Sequence, residues 1–165
     1  MTTFVKFLQG FGLLIARLGV GGILLLHGWN RWQGQGQGLQ RQVDYLTQFG
    51  TPFPKVAAWG AIIFELAGGV FLIVGALTPL IGLGILVQQV LTVAYTNWYK
   101  HPDLLKTDGS YNGGYEYNVA LGLLGLLFLV FGGGAVSIDR LFRRKPPAED
   151  DEDSITTSTR PRVNA

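Results

Sequence analysis

The chain contains no cysteine, so it has no disulfide, thiol nucleophile or cysteine-bound metal of its own. Charge is scarce too. Asp, Glu, Lys and Arg make up 15% of the residues, against roughly 25% in ordinary soluble domains. A net charge of +2 is too small to argue for nucleic acid as a partner. With two histidines, His27 and His101, and one methionine, Met1, a conventional zinc site, an iron–sulfur cluster or a bis-histidine haem is not expected. No metal site is therefore assigned. No glycine-rich loop follows a strand pattern, so the dinucleotide fingerprints do not apply. No Ser/His/Asp arrangement stands out.

What the chain has in abundance is apolar sequence. Hydrophobic residues make up 48% of its 165 residues. The mean hydropathy of +0.29 is held down by a polar C-terminal stretch. Four segments approach the roughly 20 residues that a bilayer core demands: about 7–28, 56–77, 80–98 and 117–136. The expected fold is an all-α membrane protein, a four-transmembrane-helix bundle. A water-soluble alternative would have to bury every face of four helices, which 165 residues cannot do. The first segment does not read as a cleaved signal peptide, because Arg17 interrupts the apolar run and no small-x-small site follows it. Small residues four apart, Gly12 with Ala16 and Ala57 with Ala61, read as helix-packing faces.

The connections carry further signals. Thr78-Pro79 marks a tight turn that makes the second and third segments antiparallel neighbours. In the first loop, after a Gln-Gly repeat, Leu39, Val43, Leu46 and Phe49 fall at helical spacing between polar residues. That pattern predicts a short amphipathic helix on the membrane surface or capping the bundle. Beyond Phe142 the chain turns basic at Arg143, Arg144 and Lys145, then acidic from Glu149 to Asp153. Residues 143–165 are expected to form a disordered cytoplasmic tail after a transmembrane domain at 1–142. Basic residues divide evenly between the two sides. The denser cluster beside the last segment places both termini in the cytoplasm.

Polar residues inside apolar segments are expensive in hydrocarbon and mark candidate sites. Arg17 and Glu65 fall near the middle of the first two segments, so they are expected to form a buried midplane pair, joined by Gln88 or Gln89. Such a pair can also serve only to fix helix register. At the opposite ends of the segments, His27, Tyr95, Asn97, Glu116 and Asn118 converge on one outer face. A His and a carboxylate there could relay protons or hydrogen-bond a quinone-like ring. The neighbouring Trp and Tyr residues equally fit an interfacial aromatic belt.

The order of short motifs resembles the DoxX family of bacterial membrane proteins over residues 11–142. The motifs are Arg17 with Leu26-His27-Gly28-Trp29, Phe49-Gly50-x-Pro52, Glu65-Leu66-Ala67-Gly68-Gly69 and Gly75-Ala76-Leu77-Thr78-Pro79. Gly114-Tyr115-Glu116 and the stretch from Gly132 to Asp139 resemble its closing elements. The resemblance implies a four-helix fold in the bacterial plasma membrane with both termini cytoplasmic. It also puts Arg17, His27, Glu65 and Glu116 forward as functional positions. A related subunit, DoxD, belongs to a thiosulfate:quinone oxidoreductase. By that analogy the protein is an accessory, non-catalytic or quinone-binding subunit of a membrane redox or oxidative-stress complex. It would carry no covalently bound cofactor, contact quinone, and have lipid and other redox subunits as partners. The alternatives are a small proton-coupled transporter or lipid-handling protein, and a structural or assembly subunit without chemistry.

Overall fold

The computed structural model describes residues 3–97, 114–134 and 136–142. The expected tail at 143–165 lies outside the described residues, as do Trp98, Tyr99 and His101. Helix α1 runs Thr3–Gln33 and a short 3₁₀ turn, Gly34–Gly36, follows it. Helix α2 is Gly38–Gln48, α3 is Pro54–Val74 and α4 is Thr78–Thr92, extended by a π-helical turn at Val93–Asn97. Helix α5 is Glu116–Phe131 and α6 is Asp139–Phe142. Among the described residues there is no strand. Three stretches, Phe7–Gly36, Pro54–Val74 and Thr78–Thr96, are long and apolar enough to cross a membrane, whereas Glu116–Phe131 is a shorter apolar helix.

Local chemistry sets several of these boundaries. Pro54 and Pro79 stand in the first turns of α3 and α4, where a missing N–H costs nothing and the fixed φ suits a helix. Helix α3 ends on Gly75 at φ 72°. The Ala76 N–H donates to the Phe71 carbonyl at 2.9 Å and the Gly75 N–H to Leu72 at 3.2 Å. That is the Schellman pattern, and the left-handed residue it needs is cheapest as glycine. Leu77 then takes φ 54° as the chain reverses into α4.

Two helix pairs make up the bundle. Helix α1 packs along α3 and α4 along α5, while α3 and α4 share a narrower contact although a three-residue turn joins them. Each pair has one reciprocal glycine contact. A Cβ on Gly21 would lie 2.9 Å from the Gly69 carbonyl oxygen, and one on Gly69 would lie 2.9 Å from that of Gly21. Gly82 and Gly125 do the same for α4 and α5, at 2.6 and 2.8 Å. Backbones can approach this closely only without side chains between them. Of the packing face expected at Gly12 and Ala16, Ala16 packs against the core, whereas Gly12 has nothing within 4 Å of its Cβ position. Val20, Leu24, Leu72, Ile81, Ile85, Leu121 and Phe128 form the core between the pairs.

The glycine crossings also fix axial register. Gly28 lies against Glu65, with a Cβ on the glycine 3.0 Å from the glutamate Cβ. Arg17, eleven residues earlier in α1, therefore sits about 16 Å further down the axis. There it reaches the level of Gly75, onto whose Cβ position its guanidinium projects. The expected Arg17–Glu65 pair does not form. Counting from segment ends misjudged the depth, because α1 continues past Gly28 to Gln33.

Candidate functional site

Two polar clusters occupy opposite ends of the bundle. At the end that holds the N-terminus of α4, Arg17 is 1% exposed. Its Nη2 donates to the Val136 carbonyl, and the Asp139 carboxylate acts on it through charge. The same carboxylate accepts from the Leu77 N–H at 2.6 Å and the Thr78 N–H at 2.9 Å. The Asp139 N–H returns a bond to the Gly75 carbonyl at 2.9 Å. An acidic side chain from the far end of the chain thus caps α4, where free N–H groups and the helix dipole both favour negative charge. This cluster unites three motifs that lie far apart in sequence.

The other end is open. Between the two helix pairs lies a cavity of about 810 Å³. Ile23, Leu24, Phe64, Val87 and Leu91 are among its apolar lining, and α2 contributes Tyr45 and Leu46. Its polar wall centres on Glu65, which is 3% exposed. Arg31 Nη1 meets Glu65 Oε1 at 3.3 Å, and Gln88 Nε2 donates to the same oxygen at 2.7 Å. Gln89 faces the other way and accepts from Asn118 Nδ2 at 2.7 Å. Both glutamines therefore point inward, one toward α3 and the other toward α5.

His27 stacks on Tyr117, with ring centroids 5.9 Å apart and planes 15° from parallel. Both residues line the cavity, as do Tyr95 and Asn118. Glu116 is not among its lining residues, and the side chain of Asn97 lies outside the described residues. The sequence-derived outer-face set is thus brought together at His27, Tyr95 and Asn118, with Tyr117 rather than Glu116 beside the imidazole. The π-helical turn brings Tyr95 and Thr96 into the lining of the cavity. Thr92 Oγ1 and Thr96 Oγ1 each donate to the carbonyl four residues back, at 2.8 and 2.7 Å, a habit that bends helices.

Sequence reasoning missed two residues. Arg31 enters the sequence reading only as one of the basic residues that divide between the two sides. Its signal was its spacing: Arg17, Leu24 and Arg31 recur every seven residues and share the inward face of α1. Asp139 carried no local signal for the N-terminus it caps, which lies about sixty residues away. Among the described residues no three His, Asp or Glu side chains gather as a metal site would require.

The fold and cavity define an all-helical, multi-pass membrane protein with a buried polar wall facing an apolar chamber. The DoxX family profile matches residues 12–98, more than half of the chain, and the protein belongs to that family. The matched region covers most of α1, all of α2 to α4 and most of the cavity wall. Helix α5 and Asp139 lie beyond it. No curated protein and no solved structure matches the chain.

Proposed function

We propose that this DoxX-family protein holds a small lipophilic molecule of quinone type in the chamber between its helix pairs, as an accessory subunit of a membrane redox complex. The observation that carries this reading is the cavity of about 810 Å³ whose apolar lining is interrupted by buried Glu65 with Gln88 and Arg31. Ligand sites are typically of this size, mostly apolar, with a few convergent polar groups. The His27–Tyr117 stack offers an aromatic edge to a ring.

In this reading α5 is a short fourth crossing, both termini are cytoplasmic, and the cavity opens toward the outer leaflet. Helix α2, whose Val43 is buried, covers the mouth at membrane level. Residues 143–165 form the tail outside the transmembrane domain at 1–142. In this reading electrons enter from a partner subunit that carries flavin, thiol or metal chemistry. The membrane is the bacterial plasma membrane.

Mass spectrometry of the protein gently extracted from its membrane tests the proposal. A stoichiometric quinone with a co-purifying redox chain is the expected result. An empty cavity in protein prepared from quinone-replete membranes counts against it.

A second reading has its own observation. Glu65 lies midway along α3, and its Oε2 has no hydrogen-bond partner among the described residues. An intramembrane carboxylate with a free oxygen suits proton-coupled transport. Proton-coupled uptake into liposomes, lost on Glu65→Gln, would favour that reading instead.

A further inference from the structure

The polar atoms that line the cavity are unevenly satisfied. Glu65 Oε1 takes both Arg31 and Gln88, whereas Glu65 Oε2 and Gln88 Oε1 are buried with no partner among the described residues. The Gln88 amide cannot turn over to correct this, because its oxygen would then face the carboxylate. Both unpaired atoms are acceptors, on side chains that line the same chamber. Thr51 Oγ1, the third unpaired group on the lining, can donate or accept and so does not discriminate. Leaving a buried acceptor unpaired is costly, and the cost falls on any ligand that offers only acceptors of its own.

Charge narrows the choice further. Arg31 and Glu65 neutralise one another at 3.3 Å. An ammonium head would meet the guanidinium, and a carboxylate or phosphate head would meet the two free acceptors. A neutral hydroxyl avoids both conflicts. Its proton can go to Glu65 or Gln88 while its oxygen accepts from Arg31, which lines the cavity and is 26% exposed. A carbonyl can do only the second.

We infer that the cavity selects a neutral lipophilic molecule whose head donates hydrogen bonds, a phenol or hydroquinone, over the corresponding carbonyl compound. This rests on the reading of the cavity as a ligand site. Within that reading it assigns the protein to holding the reduced form. A molecule with a hydroxyl-bearing ring and an alkyl tail would place its ring by His27 and Tyr117 and its tail along Phe64, Val87 and Leu91.

The test compares three probes on the full chain in nanodiscs under anaerobic conditions: a decyl-substituted benzoquinol, the matching benzoquinone, and the dimethyl ether of the quinol. Quenching of the native tryptophans reads binding, with reductant present in the quinol titration alone so that the quinone stays oxidised in its own. The quinol is expected to bind at least about tenfold more tightly than the quinone, since one unpaired buried acceptor accounts for a factor of that order. The ether, with the same shape and no donor, should bind no better than the quinone. Gln88→Met and Glu65→Gln should each shrink the quinol-to-quinone ratio. Comparison of quinol with ether needs no variant, so a misfolded mutant does not block the test. Equal or tighter binding of the quinone would overturn the inference and leave the ligand site standing. Binding of none of the three would remove both.

Discussion

Arg31 Nη1 lies 3.3 Å from Glu65 Oε1, and it is this arginine, near the end of α1, that neutralises the buried carboxylate. The two partners are unequally buried, at 26% and 3% exposure. Glu65 cannot escape to water, while Arg31 can turn its long side chain outward.

Loss of the two partners should therefore be asymmetric. Arg31→Met leaves Glu65 buried without its cation and is expected to cost about 3 kcal/mol. Glu65→Gln keeps an acceptor for both Arg31 and Gln88 and should cost less. Thermal unfolding in one detergent, with the two variants side by side, checks the order. A smaller loss for Arg31→Met than for Glu65→Gln would contradict the assigned pairing.

Asp139 is expected to matter through α4 and Arg17 together. Asp139→Ala removes the acceptor for the Leu77 and Thr78 N–H groups and leaves Arg17 without a nearby carboxylate. A loss of about 2 kcal/mol follows from the cap and dipole terms. Amide hydrogen exchange should speed up at Leu77 and Thr78 before it does in α5.

The glycine crossings predict a contrast within one residue type. Gly82→Ala places a Cβ 2.6 Å from the Gly125 carbonyl oxygen, and separating α4 from α5 should cost about 1–3 kcal/mol. Gly12→Ala meets nothing within 4 Å and should be neutral or stabilise α1 by up to about 1 kcal/mol. Melting temperatures of the two variants distinguish a helix-packing glycine from a merely permitted one.

Gly60 lines the cavity, and nothing lies within 4 Å of its Cβ position. Gly60→Leu should therefore keep the fold and narrow the chamber. The expected outcome is an unchanged melting temperature with lower ligand occupancy by native mass spectrometry. Full occupancy with a leucine there would place the ligand elsewhere.

Sidedness can be read directly, since any cysteine introduced into this chain is unique. Cysteine at Gln35, in the turn beside the cavity end, should react with an impermeant maleimide added outside intact cells. Cysteine at Arg140, beside the cap of α4, should stay protected until the cells are opened. The reverse pattern would turn the cavity toward the cytoplasm.

Much of the architecture was legible because hydrocarbon permits few solutions. Apolar runs with helix formers, Pro54 and Pro79 at helix starts, and a helical pattern at Leu39, Val43, Leu46 and Phe49, of which Phe49 falls just past the end of α2, required only local reasoning. Helices stand at each of those places. That Glu65 and the glutamines need partners inside the bundle followed from the cost of burying them. Their partners did not follow. Counting residues from assumed segment ends matches Arg17 to Glu65, and the five further residues of α1 account for about 7.5 Å of the roughly 16 Å by which the two miss.

The sequence by itself determined that this protein lives in a membrane as packed helices, and that Arg17, Glu65, Gln88 and Gln89 must be accommodated inside. Apolar content and helical period are properties of each segment alone. The tertiary structure decided which cation meets Glu65, which chain end caps α4, and that the two helix pairs part to leave a cavity. Those outcomes depend on the axial offset between helices, which backbone contacts such as Gly21 with Gly69 and Gly82 with Gly125 set. No single segment carries that offset, because it exists only once two distant stretches of chain are pressed together.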